Sequence, residues 1–103
     1  MAESFASCPG VLAFTLGGID VATRVDFPNA ARRVRLQFVT NAGKVATSGT
    51  DGAAIAATNY PVAADTDWAL VVDRDGEGGR APASIYVASG VAATVVLAIC
   101  EAT

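Results

Sequence analysis

The sequence predicts an all-β protein, a single small β-sandwich of jelly-roll-like form with about eight short antiparallel strands. Three observations lead to this fold. Apolar and polar residues alternate with a period of two through most of the chain, as in strands that bury one face. Turn residues recur at spacings of about ten residues. No segment of about ten residues in the sequence combines apolar residues at helical spacing with helix-capping residues.

The alternation is clearest in residues 19–25 and 33–40. The side chains predicted to face inward there are Ile19, Val21, Thr23, Val25, Val34, Leu36 and Phe38. The other predicted strands are residues 11–16, 44–47, 54–57, 68–73, 84–88 and 92–100.

Two turn signals predict hairpins. The Gly17-Gly18 pair separates the first two predicted strands, and we expect those strands to be antiparallel neighbours. Ser89-Gly90 separates the last two predicted strands in the same way. The sequence therefore predicts one hairpin at each end of the chain.

The length of 103 residues predicts one domain spanning residues 1–103, with residues 1–10 as a candidate flexible N-terminal arm. Charged residues make up 17% of the chain, below the usual quarter. A surface rich in alanine and poor in charge indicates self-association, because monomers rarely expose large apolar patches. Codon usage in a GC-rich genome is the competing explanation, and the two remain open here.

The net charge of −3 disfavours a nucleic-acid partner, because phosphates need a positive surface. One basic cluster exists, formed by Arg32, Arg33 and Arg35. Arg33 and Arg35 alternate with Val34, which is typical of the solvated face of a strand. A patch for an acidic partner protein is the alternative.

The N-terminal segment lacks the basic start and long apolar run of a secretory signal. The longest apolar stretch, residues 90–100, is about half as long as a membrane helix requires. We therefore expect no membrane span, and synthesis and residence in a cytoplasm. Cys8 and Cys100 are then expected to be reduced thiols. If the first and last strands are neighbours, a disulfide between these cysteines is the alternative.

The most charged segment is DRDGEGG at residues 73–79, in which Asp73, Asp75 and Glu77 alternate. A helix-loop-helix calcium site needs Gly at the sixth position and Glu at the twelfth, whereas Gly stands fourth here and Ser84 twelfth. A surface calcium site on the three acids remains an alternative. The glycines are followed by Arg-Ala-Pro, which does not fit a phosphate-binding loop. We expect an exposed connecting loop.

An inventory of side chains disfavours catalysis. The chain has no histidine, the commonest general base, and its single lysine, Lys44, falls in a turn region. Without CxxC spacing or histidine, the cysteines offer no metal site. We therefore predict that the protein is not an enzyme and has no catalytic, cofactor-binding or metal-binding residues.

Exposed aromatic side chains would indicate sugar binding, and the candidates are Tyr60, Trp68 and Tyr86. Trp68 is in phase with Leu70, which predicts a core position. Tyr86 is out of phase with Ile85 and is predicted to lie on the opposite face of its strand.

Residues 59–101 contain a NYPV start, a strand with Trp68, a Gly-rich polar loop, the strand SIYVA and an Ala/Val-rich last strand that ends in Glu101. In this order the segment resembles the small β-sandwich modules of tailed-bacteriophage virion proteins. The match covers less than half of the chain.

The resemblance implies a structural virion protein, since modules of this kind occur in capsid decoration, cement, head-fibre and tail-associated proteins that are often homotrimers. We therefore expect a capsid decoration or cement protein that binds the major capsid protein lattice outside a phage head and stabilises the shell. It would be a homotrimer, made in the host cytoplasm and located on the capsid surface, with no nucleic-acid or membrane partner. The alternative is a carbohydrate- or receptor-binding module of a phage fibre or tail.

Overall fold

Two β-sheets pack face to face, as the computed structural model shows for residues 2–28, 31–71 and 84–101, the residues it describes. Nine strands lie in these residues, and their order is β1 Glu3–Ser4, β2 Gly10–Thr15, β3 Thr23–Asp26, β4 Arg33–Phe38, β5 Gly43–Ala46, β6 Tyr60–Val62, β7 Asp67–Val71, β8 Ser84–Ala88 and β9 Val95–Glu101. The prediction of an all-β sandwich is confirmed.

The strand order gives the sandwich its topology. Sheet A has the order β1-β3-β8-β5-β6, and sheet B has the order β2-β9-β4-β7. The antiparallel pairs are nested along the chain: β2 pairs with β9, β3 with β8, β4 with β7 and β5 with β6. This nesting is the connectivity of a jelly roll, as predicted. The short strand β1 adds to the edge of sheet A in parallel with β3.

Both predicted hairpins are wrong. The turn at Gly17-Gly18 connects β2 in sheet B to β3 in sheet A, and the turn at Ser89-Gly90 connects β8 in sheet A to β9 in sheet B. In a nested topology most consecutive strands lie in opposite sheets. Among the described strands, β5 and β6 alone are both consecutive and paired.

Three predicted strands also need correction. Strand β9 begins at Val95 instead of residue 92, because Ala93 has a positive φ of 61°. Strand β3 begins at Thr23 instead of residue 19, because Asp20 has a positive φ of 56° that interrupts the extended chain. Ile19 is therefore 62% exposed instead of buried. Residues 54–57 do not form a strand, and Ala54 makes only an isolated bridge with Val21.

The first described residues of the N-terminal segment contact the sandwich. Glu3 and Ser4 pair with Val25 and Asp26 at the edge of sheet A. Phe5 is buried in the core with 7% of its surface exposed. Glu3 and Ser4 therefore contribute sheet pairing, and Phe5 contributes apolar burial.

Cys8 and Cys100 form a disulfide, so the expectation of reduced thiols is wrong for this structure. A disulfide was the alternative if the first and last strands were neighbours. Strands β2 and β9 are adjacent, and Gly10 lies opposite Cys100. The two Cα atoms are 5.5 Å apart, within the range that a disulfide spans. Cys100 is fully buried, and the bond ties the N-terminal segment to the last strand.

One end of the sandwich is organised by a small buried polar network. Ser89 and Thr94 are both fully buried. The Ser89 hydroxyl donates to the carbonyl of Ala42 at 2.8 Å and accepts from the backbone N–H of Val91 at 3.2 Å. The Thr94 hydroxyl donates to the carbonyl of Val91 at 2.8 Å. Because the buried hydroxyls are paired, the connections that cross between the sheets are held in place.

Candidate functional site

The side chains considered for catalysis or metal binding do not come together in the described part of the chain. No group of three His, Cys, Asp or Glu side chains there is placed to hold a metal ion. Lys44 Nζ lies 2.7 Å from Asp20 Oδ1 in a partly exposed ion pair. The acids of the predicted charged loop, Asp73, Asp75 and Glu77, lie outside the described residues.

The basic cluster lies among acidic partners. The Arg35 guanidinium donates to Asp67 Oδ2 at 3.0 Å. Arg33 Nε lies 3.7 Å from Glu101 Oε1, an ion pair too long for a hydrogen bond. Both arginines are on the outer face of sheet B, which agrees with the interpretation of a solvated strand face.

The other half of that outer face is mainly apolar, with Thr15 and Glu101 as polar residues at the strand ends. Its apolar outward side chains are Val11 and Ala13 of β2 and Val95, Leu97 and Ile99 of β9, and we name these five the β2–β9 patch. The register places Val11 opposite Ile99 and Ala13 opposite Leu97, so the side chains adjoin. Val11 is 68% exposed, the largest exposure among the described large hydrophobic residues. Val95, Leu97 and Ile99 are half-buried, and Ala13 is exposed. A contiguous apolar surface that is partly open to solvent is typical of an interaction site.

Strand β2 is also an unprotected sheet edge. Its sequence GVLAFT contains neither a charged residue nor proline. The other three edge strands each carry one such residue: Glu3 in β1, Pro61 in β6 and Asp67 in β7. Charges and prolines on edge strands normally prevent unwanted strand pairing. Strand β2, next to the patch, therefore lacks the residues that normally prevent pairing with another chain.

A second surface feature is formed by two aromatic residues. Tyr60 lies on β6, at the edge of sheet A, and is 61% exposed. Trp68 lies on β7, at the edge of sheet B, and one side of it packs against the core beside Leu70, as predicted. The two residues line two adjoining hollows of about 460 and 300 Å³. We name this feature the Tyr60–Trp68 cleft.

Tyr86 does not join the cleft. It faces away from Ile85 and Val87, as its phase predicts, and is half-buried. Gly49 lies over its ring, since a Cβ at position 49 would be 3.4 Å from Tyr86 Cγ. The segment around Gly49 therefore covers one face of the ring, and Tyr86 is not an open platform.

No family model, curated protein or solved structure matches the chain. In the described residues no helix is long and apolar enough to cross a membrane. The β2–β9 patch and the Tyr60–Trp68 cleft are therefore the two features that bear on function.

The β2–β9 patch was not predicted, although the sequence contained a signal for it. Strand β9, VVLAICE, is apolar on both faces, with Val96, Ala98 and Cys100 turned inward. A strand that is apolar on both faces is usually covered on both. The closeness of Tyr60 and Trp68 had no such local signal, because it depends on how the two sheets stack.

Proposed function

We propose that the chain is a structural virion protein, a capsid decoration or cement protein that self-assembles and binds the outside of a phage head. The observation that supports this function best is the β2–β9 patch beside the uncharged edge of β2. Burial of such a surface between copies stabilises an assembly by the hydrophobic effect, roughly in proportion to the apolar area removed from water. The jelly-roll topology gives the patch a rigid base.

The proposed oligomer is a homotrimer, a state suggested by the resemblance of residues 59–101 to phage modules. The charge distribution favours self-association through the patch. The patch itself is uncharged, and Glu101 at the end of β9 is paired with Arg33. Two copies can therefore approach through this face without the repulsion expected from a chain of net charge −3.

The assembly is tested by light scattering after size-exclusion chromatography. We expect the unmodified protein to have three times the mass of one chain and Val11→Asp to be monomeric. Ile19→Asp is the matched control, because Ile19 is 62% exposed and lies outside the patch. A protein that stays monomeric at high concentration contradicts the proposed assembly.

Binding to the head is tested separately, with purified particles of the phage whose genome encodes the chain. We expect mass spectrometry to find the chain in those particles, and particles stripped of it to bind it again on sedimentation. Its absence from the particles contradicts the virion role.

A second candidate function is a carbohydrate- or receptor-binding module of a phage fibre or tail. It is favoured by the Tyr60–Trp68 cleft, which the capsid proposal does not use.

A further inference from the structure

We propose that the Tyr60–Trp68 cleft binds a neutral saccharide. The inference rests on the second candidate function and is independent of the capsid proposal. It depends on three properties of the cleft: the aromatic side chains, the uncharged polar groups around them and the absence of a cationic side chain from the described lining.

The aromatic side chains provide apolar surfaces of the size of a sugar ring. Trp68 is held by its contact with the core, and Tyr60 is open to solvent. The C–H face of a pyranose packs on an aromatic ring. When the ring is already fixed, binding costs little conformational entropy for ordering that side chain. The hollows on either side of this pair offer space for more than one sugar unit.

The polar groups around the rings suit hydroxyl ligands. Thr47, Thr58 and Asn59 line one hollow, and Thr66 lines the other. Hydroxyls and amides both donate and accept hydrogen bonds, as sugar hydroxyls require. Asn59 Nδ2 donates to the carbonyl of Ala56 at 2.8 Å, which fixes the amide. Asn59 Oδ1 accepts no hydrogen bond from another described residue and is available to a ligand.

The charge of the described lining disfavours anionic ligands. In the described lining Asp67 is the one ionised side chain, and its carboxylate accepts a hydrogen bond from Arg35. A phosphate, nucleotide or acidic sugar would find no cation among these described residues to pair with. A neutral, hydroxyl-rich ligand has no such requirement.

An extended peptide is the main competing occupant, because β6 is a sheet edge. Pro61 occupies the middle of that three-residue strand and has no backbone N–H to donate. Strand addition at this edge would therefore lack a ladder hydrogen bond, which favours the saccharide.

The chain has a single tryptophan, so the emission of Trp68 reports directly on the cleft. The probes are cellotetraose, maltotetraose and tetra-N-acetylchitotetraose, each titrated into the full chain. We expect a saturable emission change with at least one of them. Tyr60→Ala should weaken that binding about tenfold or more, as expected for loss of an aromatic stacking partner. Asn59→Ala should weaken it as well.

Ile19→Ala is the matched control, because Ile19 and Tyr60 have nearly equal exposure, 62% and 61%. It should leave the affinity unchanged, and melting curves should show that all three variants fold. No saturable response to any of the three sugars overturns the inference. Equal affinity in Tyr60→Ala, or a response only to an extended peptide probe, overturns it too. The oligomeric state, measured on the same samples, reports on the capsid proposal independently.

Discussion

Gly43 lies directly against the ring of Phe38, and the two residues come from opposite sheets. A Cβ at position 43 would be 2.0 Å from Phe38 Cε2, a distance at which atoms overlap. Phe38 is completely buried, so the ring is enclosed by the core. Sheet A and sheet B therefore approach each other so closely at this position that only glycine fits.

Gly43→Ala should destabilise the protein by roughly 1–3 kcal/mol, because the added methyl group forces Phe38 or the strand β5 to shift. Urea unfolding followed by far-UV circular dichroism measures the change. Gly17→Ala is the control, since a Cβ at position 17 has no atom within 4 Å and should cost much less. Adding Phe38→Leu to Gly43→Ala should recover part of the loss if the overlap is its cause. A Gly43→Ala variant as stable as the unmodified protein would contradict this account.

The strands that were predicted correctly are those with a local signal. Val34, Leu36 and Phe38 are all buried, as their alternation in the sequence indicates. Alternation depends on neighbouring residues alone, so the sequence contains it in full. Ile19 is the exception, because one positive φ at Asp20 ends the extended chain although the alternation continues through it.

Strand pairing had no comparable local signal. A Gly-Gly or Ser-Gly turn reverses the chain both in a hairpin and in a crossing between sheets, so Gly17-Gly18 and Ser89-Gly90 could not distinguish them. Whether the chain forms a hairpin or crosses to the other sheet depends on which arrangement buries most apolar surface. That is a property of the whole sandwich. For the same reason the sequence identified Tyr60 and Trp68 as candidates but could not show that they share a cleft.

Reduction of the Cys8–Cys100 bond should lower the stability substantially. The bond joins residues 92 positions apart, and the chain-entropy model gives about 4–5 kcal/mol for a loop of that size. We expect a marked fall in melting temperature when a reductant is added to the unmodified protein. Calorimetry with and without reductant measures it.

Cys8→Ala is the informative variant, because Cys8 is less buried than Cys100. Its melting temperature should match that of the reduced protein and should not respond to reductant. A thiol assay that found two free cysteines in protein refolded in air would contradict the disulfide.

The segment around Asp51 is held against β3 by a charge-assisted hydrogen bond. The backbone N–H of Arg24 donates to Asp51 Oδ1 at 2.9 Å, and this bond lowers the pKa of the Asp51 carboxyl below its ordinary value. The backbone N–H of Gly52 donates to the carbonyl of Ala22 at 2.8 Å and supports the same contact. The ionised form of Asp51 is therefore favoured in the folded chain.

A lowered pKa makes stability depend on pH in one direction. The contribution of Asp51 should be fully present above the pKa of the unfolded chain, about 4, and should disappear as the pH falls through the lower folded value. The Asp51→Asn side chain keeps an oxygen acceptor for Arg24 but cannot titrate. The melting temperature of this variant should therefore fall less between about pH 6 and pH 3 than that of the unmodified protein. Asp65→Asn is the control, because Asp65 is exposed and its side chain makes no hydrogen bond to a described residue; it should keep the pH dependence of the unmodified protein. An Asp51 carboxyl carbon that titrated at or above the ordinary value by NMR would contradict the assignment.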